Sequence, residues 1–295
     1  MLVVVVAAIS LGPGTMRDLV AGLVFVRPPA ASVAPPTMHA DAMLQTRLQS
    51  VRASLSRGSM GAVVVDVQTG ASASIDAAQS FPAASLFKLP LLVEILAEED
   101  RGQLDAEQRL EIRPADWTDG SGVLQARVGD RLTVRALTRL MIQESDNIAA
   151  LVLLDAVGVD STNATAERLG LHATRLVDHR AGDAGEHTTS AADMAQLFVG
   201  LASGQVINQH VSEAALALLE LKQTVAWLGD GLPFWVKVAH KWGDLPRARN
   251  DAGVVFTPRG SYVVVVLTEG GQPDESAALI ARASRVGYDS LGTHS

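Results

Sequence analysis

The stretch Phe81-Pro82-Ala83-Ala84-Ser85-Leu86-Phe87-Lys88-Leu89-Pro90 sets a serine and a lysine three residues apart, at the entrance to an apolar helical pattern through Leu91–Ala97. Helical residues three apart lie on one face. The amine of Lys88 therefore reaches the hydroxyl of Ser85 if the serine sits in the first turn, and a neutral amine beside a hydroxyl is a general base beside a nucleophile. The pair alone is unspecific, because Ser-x-x-Lys occurs by chance in most chains of this length. Two further motifs bear on it. Ser145-Asp146-Asn147 stands at the junction of two helical patterns, and Lys241-Trp242-Gly243 at the end of a strand pattern. Each has an ordinary reading too: Asn147 alone suits a helix cap, and Lys241 alone a solvated strand end.

These residues need a frame. The chain of 295 residues is 48% hydrophobic and 19% charged, as a compact soluble protein is, with one large domain or two intertwined ones. A net charge of -8, with no local Lys/Arg cluster, argues against a nucleic-acid partner. The absence of cysteine excludes disulfides, thiolate nucleophiles and cysteine-held metals. His172, His179, His187 and His240 match no metal spacing and read as solvated or capping residues. No metal or cofactor is expected.

Residues 1–37 are set apart from the fold. Leu2–Ile9 is apolar without a basic start; Met16-Arg17-Asp18 followed by Leu19–Val26, with small residues at Ala30–Ala34, is more signal-like. Neither stretch alone reaches the ~18 residues that span a bilayer as a helix. A signal peptide, a membrane anchor and an unstructured extension all stay open; the first predicts export to periplasm, cell envelope or exterior. Membrane contact is expected only through this segment, if it is retained.

From residue 38 the periodicities give an amphipathic helix over Ala40–Ser56, a hairpin of Gly61–Val67 and Ala71–Asp76, and the Ser85 stretch. A long helical block follows, with patterns over Val134–Ile142, Ile148–Ala156, Ala191–Leu201 and Val211–Leu221. Thr188-Thr189-Ser190 reads as a helix start. Strand patterns return at Trp235–Lys241, Asp251–Phe256 and Ser261–Leu267, and a last helix covers Glu275–Val286. This order predicts an α+β fold: a five-stranded antiparallel sheet flanked by the N- and C-terminal helices, with a large inserted all-helical subdomain. The sheet subdomain would take residues 38–88 and 235–295, the helical one 89–234, and a cleft between them is where a small-molecule site forms.

The three motifs, in this order and context, resemble those of the penicillin-recognising serine hydrolases, closest to class A β-lactamases. Phe81-Pro82-Ala83-Ala84, Leu140-Met141-Ile142 and Arg249-Asn250-Asp251 agree as flanking sequence, and the likeness covers roughly residues 40–295. It implies that Ser85 attacks an amide carbonyl, that Lys88 takes its proton, and that Ser145 relays a proton to the leaving nitrogen. Asn147 would bind Lys88 and a substrate amide, and Lys241 would supply charge to a substrate carboxylate and to Ser145. The backbone N–H groups of Ser85 and Asp244 would form the oxyanion hole, and Gly243 would let the strand approach the substrate. The implied function is a monomeric β-lactamase-like hydrolase whose small-molecule substrate is a β-lactam or a peptidoglycan-type peptide. Two alternatives stand beside β-lactam hydrolysis: a penicillin-binding-protein type hydrolase of peptidoglycan peptides or other amides and esters, and a low-turnover binding or sensor domain.

Four positions depart from the resemblance. The loop between Thr174-Arg175-Leu176 and Thr188-Thr189 is about seven residues shorter than it implies. That loop lacks the glutamate that activates the deacylating water; Arg180 falls near its place, and Asp178, Asp183 and Glu186 read as loop or capping carboxylates. Leu151 replaces an asparagine that braces the loop. Trp242 replaces a threonine or serine whose hydroxyl helps bind a substrate carboxylate. Asp244 adds a negative side chain, repelling an anionic substrate unless Arg247 or Arg249 pairs with it.

Overall fold

The computed structural model describes residues 36–293. The apolar N-terminal stretches lie outside the described residues. In chain order the elements are β1 (His39–Ala40), α1 (Ala42–Arg52), β2 (Ser59–Asp66), β3 (Ala71–Ile75), β4 (Ser80–Pro82), a 3₁₀ turn (Ala84–Phe87) and α2 (Lys88–Asp100). Then come β5 (Arg109–Glu111), β6 (Arg131–Thr133), α3 (Val134–Gln143), α4 (Asn147–Val157), α5 (Val159–Arg168), β7 (Thr188–Ser190), α6 (Ala191–Ala202) and α7 (Gln209–Leu219). The chain closes with α8 (Trp227–Asp230), β8 (Lys237–Leu245), β9 (Ala248–Thr257), β10 (Gly260–Glu269) and α9 (Pro273–Gly287).

The main sheet runs β1-β3-β2-β10-β9-β8. The five strands expected from the sequence are antiparallel, as in Val64↔Val264, Val264↔Gly253 and Gly253↔His240. A sixth, β1, pairs in parallel with β3 through His39↔Ala71, so the sheet is six-stranded and mixed rather than five-stranded and antiparallel. Two residues ahead of a helix carry no period-2 pattern, which is why this strand escapes a periodicity reading.

Because successive strand side chains point to opposite faces, the unbroken Val63-Val64-Val65 run requires apolar cover on both sides. It has it. Ala62, Val64, Val264 and Val266 pack under α1 and α9 with Leu44, Leu48, Leu279 and Ile280. Val63, Val65, Val263 and Val265 face the helical block with Met194 and Phe198 of α6. Short strands also border and enter that block where the periodicities predict helix or loop. The ribbon β4–β7 (Phe81↔Thr189) ties the approach to Ser85 to the end of the short loop, and β5–β6 closes the far side. Ser190 caps α6, its hydroxyl accepting from the Asp193 N–H at 3.1 Å. No single helix among the described residues is long and apolar enough to cross a membrane.

Candidate active site

Ser85 lies in the 3₁₀ turn, half-buried, immediately before α2. Ala84 just ahead of it adopts φ +47°, a left-handed conformation that costs a non-glycine residue roughly 1–2 kcal/mol. Surrounding contacts hold the turn in place. The Ala83 N–H donates to His187 O at 2.8 Å. Asn250 donates from Nδ2 to Pro82 O at 2.8 Å and to Ala83 O at 3.3 Å, while its Oδ1 accepts the Thr268 N–H at 3.0 Å. Gly243 of β8 abuts the turn: a Cβ there would stand 2.9 Å from both Ala84 Cβ and Ser85 N. The close approach at Gly243 is thus made to the Ser85 turn.

Lys88 is fully buried one turn on. Its Nζ lies 3.2 Å from Ser85 Oγ, 3.1 Å from Ser145 Oγ and 2.8 Å from Asn147 Oδ1, and it also donates to Ser145 O. Burial lowers its amine from 10.5 to about 7, against the opposing pull of the Asp146 carboxylate. A neutral amine has two N–H donors and one lone pair. The two carbonyl oxygens can only accept, so they take the N–H bonds and leave the lone pair to a hydroxyl, that of Ser85 or Ser145.

Ser145 itself is strained and buried, with φ +52°. The N-cap of α4 is its neighbour Asp146 rather than Asn147: Asp146 Oδ1 accepts the Ala149 N–H at 2.8 Å, and its Oδ2 accepts from Val123 at 2.6 Å and Leu124 at 3.1 Å. The Asp119–Gly122 turn wraps the motif. The Asn147 N–H donates to Ser121 O at 3.0 Å, and its side-chain amide to Asp119 O at 3.3 Å.

The third wall is β8, an edge strand of the main sheet. Lys241 is wholly buried; its Nζ donates to Trp242 O at 2.9 Å and sits 4.5 Å from the centroid of the Trp242 indole. Burial, then the nearby Lys88, holds its amine well below its ordinary value, with Asp251 opposing. The amine in contact with Ser145 Oγ is that of Lys88, not that of Lys241. The Trp242 ring meets Trp227 edge-on at 6.0 Å, and its buried Nε1 has no acceptor among the described residues. Asp244 pairs with Arg249, Oδ1 to Nε 3.1 Å. Beneath the strand His240 is buried, Nδ1 2.8 Å from Asp251 Oδ1, and not solvated as its spacing suggested.

The 177–187 loop turns its charges away from Ser85. Arg180 pairs with Asp116 at 2.6 Å and with Asp155, and Arg113 contacts the same two carboxylates. Burial of Asp116 would raise its carboxyl, yet the hydrogen bonds from Arg113 and Arg180 hold it below the usual range. Asp178 caps the N–H groups of Arg180 and Ala181, and Asp183 Oδ2 accepts from Asp178 N. Glu186 pairs with Arg247 at 2.6 Å. Among the described residues no carboxylate hydrogen-bonds to Ser85 or Lys88. The His187 ring lies against Phe87, ring centroids 4.2 Å apart. Burial, then His179 and Lys88, lowers it to about 4. Its Nδ1 accepts the Val177 N–H at 2.9 Å, so the neutral ring carries its proton on Nε2 and presents a donor there. Asn163 of α5 braces the loop, accepting from Leu176 N at 2.8 Å and donating to Leu176 O at 3.0 Å. An isolated asparagine in a polar helix gives no sign of that role until the loop is placed beside it.

Comparison with known proteins bears on this geometry. A profile of the Beta-lactamase enzyme family matches residues 43–291. The chain belongs to that family. Beta-lactamase L2 of Stenotrophomonas maltophilia is 28% identical, over 80% of this chain and 82% of its own. Among solved structures, PBP-A superposes with a TM-score of 0.80 at 26% identity, covering 87% of this chain and 98% of that one. An ancestral class A β-lactamase superposes at 0.76 with 29% identity, covering 84% and 99%. The protein is a β-lactamase-like serine hydrolase with the α+β fold of the class A enzymes.

Proposed function

We propose that Ser85 is the nucleophile and that the enzyme forms a slowly released acyl-enzyme with amide or ester substrates, β-lactams among them. The single observation that carries this is the Lys88 amine, neutralised by burial and 3.2 Å from Ser85 Oγ. Lys88 takes the Ser85 proton as Oγ attacks the carbonyl carbon. The N–H groups of Ser85 and Asp244 hold the oxyanion. Collapse of the tetrahedral adduct expels the leaving nitrogen or oxygen, which receives its proton from Ser145, and Lys88 restores the proton of Ser145. Asn147 fixes the Lys88 amine from the helical side, Lys241 braces β8 through its bond to Trp242 O, and Gly243 lets that strand touch the serine turn. The site lies in the cleft between a sheet subdomain (38–88, 235–295) and a helical one (89–234), and the signal-like residues 16–34 support export of the enzyme.

Release is the slow step in this reading, since no loop carboxylate faces Ser85 and general-base assistance is worth ~10²–10⁴-fold. That asymmetry favours a penicillin-binding-protein type acyl hydrolase as the second reading, as does the likeness to PBP-A, one form of which was solved as an acyl-enzyme with penicillin G. Time-resolved intact-protein mass spectrometry with benzylpenicillin tests it. A single adduct on Ser85 that outlasts removal of free penicillin is expected; an adduct also seen in Ser85→Ala would sink the assignment.

A further inference from the structure

Phe234 and Trp235, in the connection from α8 to β8, are 95% and 67% exposed and lean only on each other, edge to face with ring centroids 5.0 Å apart. Two large rings kept in water forgo the gain of burial, and neither belongs to the core on either face of the sheet. The strand register shows what stands beside them. Lys237, the first residue of β8, pairs with Phe256, Phe256 with Ser261, Tyr262 with Asp66, Val65 with Ser72 and Ala71 with His39. The start of β8, the tip of the β9–β10 hairpin, the β2–β3 turn and the entry of the chain therefore share one end of the sheet. Met38 is exposed at that entry. Lys237 follows the aromatic pair by two residues and Arg259 sits at the neighbouring hairpin tip; both are exposed, and neither forms an ion pair among the described residues. Against them stand Asp66, whose carboxylate accepts from the N–H groups of Gln68 and Thr69, and the exposed Asp230 at the end of α8. The chain ahead of Pro36 adds a second apolar hold. Leu19–Val26 is apolar, and the roughly ten residues from there to Pro36 reach at most ~35 Å. The six strands of the sheet, at ~4.8 Å per interval, put its His39 and Lys237 corners ~24 Å apart. One bilayer can therefore take the apolar stretch and the aromatic pair together, where a single weak hold gives only marginal, reversible binding.

We propose that this end of the sheet rests on a phospholipid surface. Phe234 and Trp235 enter the headgroup region, where amphipathic aromatic rings settle, Lys237 and Arg259 face the lipid phosphates, and the N-terminal stretch, where it is retained, is the second hold. The Ser85 turn meets β8 at Gly243, six residues on from Lys237 and hence ~20 Å up the strand, so the site stands clear of the lipid. The inference is independent of the chemistry at Ser85.

Tryptophan emission of the full chain, read with phosphatidylcholine–phosphatidylglycerol vesicles whose acyl chains do or do not carry bromine, tests this, because bromine quenches only rings that reach the lipid. The parent protein is expected to be quenched, and Trp235→Phe to lose most of that quenching while still floating with the vesicles. Phe234→Ser combined with Trp235→Ser should weaken vesicle binding by about tenfold or more, with the melting temperature unchanged because both rings lie outside the core. Lys237→Gln combined with Arg259→Gln should weaken binding to the anionic vesicles by about tenfold and leave binding to phosphatidylcholine alone as it was. Quenching that persists in Trp235→Phe would give the lipid contact to another indole, such as the exposed Trp117 of the helical block, and overturn the proposal. So would parent-like binding by the double serine variant. Self-association of the parent without vesicles, lost in that variant, together with no quenching by brominated lipid, would make the aromatic pair a contact between copies of the chain instead.

Discussion

The two sides of the Ser85 cleft use charge in opposite ways. On the helical side, Lys88, Ser145 and Asn147 turn their polar atoms toward one another and toward Ser85, and Lys88 gives up its charge to burial. On the loop side, Arg180, Asp178, Asp183 and Glu186 turn outward or bond among themselves. The first arrangement concentrates proton-transfer groups at one oxygen. The second fixes a backbone path and leaves that oxygen without a base of its own. Under the proposed acylation at Ser85, the groups that would form the covalent intermediate sit on one side and the loop supplies none of them.

The largest effects should come from breaking the helical side. Ser85→Ala is expected to abolish covalent labelling outright. Lys88→Met should slow acylation by ~10²–10⁴-fold, the worth of a positioned general base, with Ser85 still present and the fold intact in a thermal melt. Labelling of Lys88→Met at the parent rate would assign the base elsewhere. The next effect is steric. Gly243→Val would push a branched side chain into Ala84 and the Ser85 N–H, so acylation should fall by at least about tenfold, as misplacement of a reacting group does.

How much of this contrast could be read from the chain alone follows its physical origin. Ser85, Lys88, Ser145, Asn147 and Lys241 announce themselves as short motifs, because a turn or a strand end places them by local geometry. The cover on both faces of the sheet was legible in the order of elements, helix and strands at both ends around a helical block. What escaped depends on distant partners. Asn163 meets Leu176 only after α5 packs beside the loop. Arg113 and Asp116 share one turn, but Asp155 and Arg180 reach them from two separate segments. His187 is half-buried between Phe87 and His179, which lie far from it or across the loop in the chain. The occupation of Arg249 by Asp244 was posed by the sequence as a condition, and the β8–β9 register supplied the answer.

The pH profile sharpens the same comparison on a smaller scale. Acylation needs Lys88 neutral, so below about pH 7 its rate should fall tenfold per unit, and above it level off. The linked stability has a definite sign. Between about 7 and the ordinary 10.5, the unfolded chain holds a proton on Lys88 that the folded chain lacks, so stability rises with pH across that window. The Lys88→Met variant should lose this rise in denaturant titrations. A rate independent of pH between 5.5 and 8 would count against Lys88 as the base.

The smallest expected effect separates the two sides most cleanly. Arg180→Ala removes one of two guanidinium groups from Asp116 and Asp155. Arg113 still contacts both carboxylates, so the buried Asp116 is not left without a partner, and the loss should be about 1–2 kcal/mol rather than the cost of an orphaned charge. For a chain of this size that lowers the melting temperature by a few degrees. Because the loop sends no charged group to Ser85, the acylation rate should stay within about twofold of the parent. A tenfold drop in acylation with an unchanged melting temperature would reverse the contrast, making the Arg180 cluster part of what shapes the Ser85 cleft and not merely its cover.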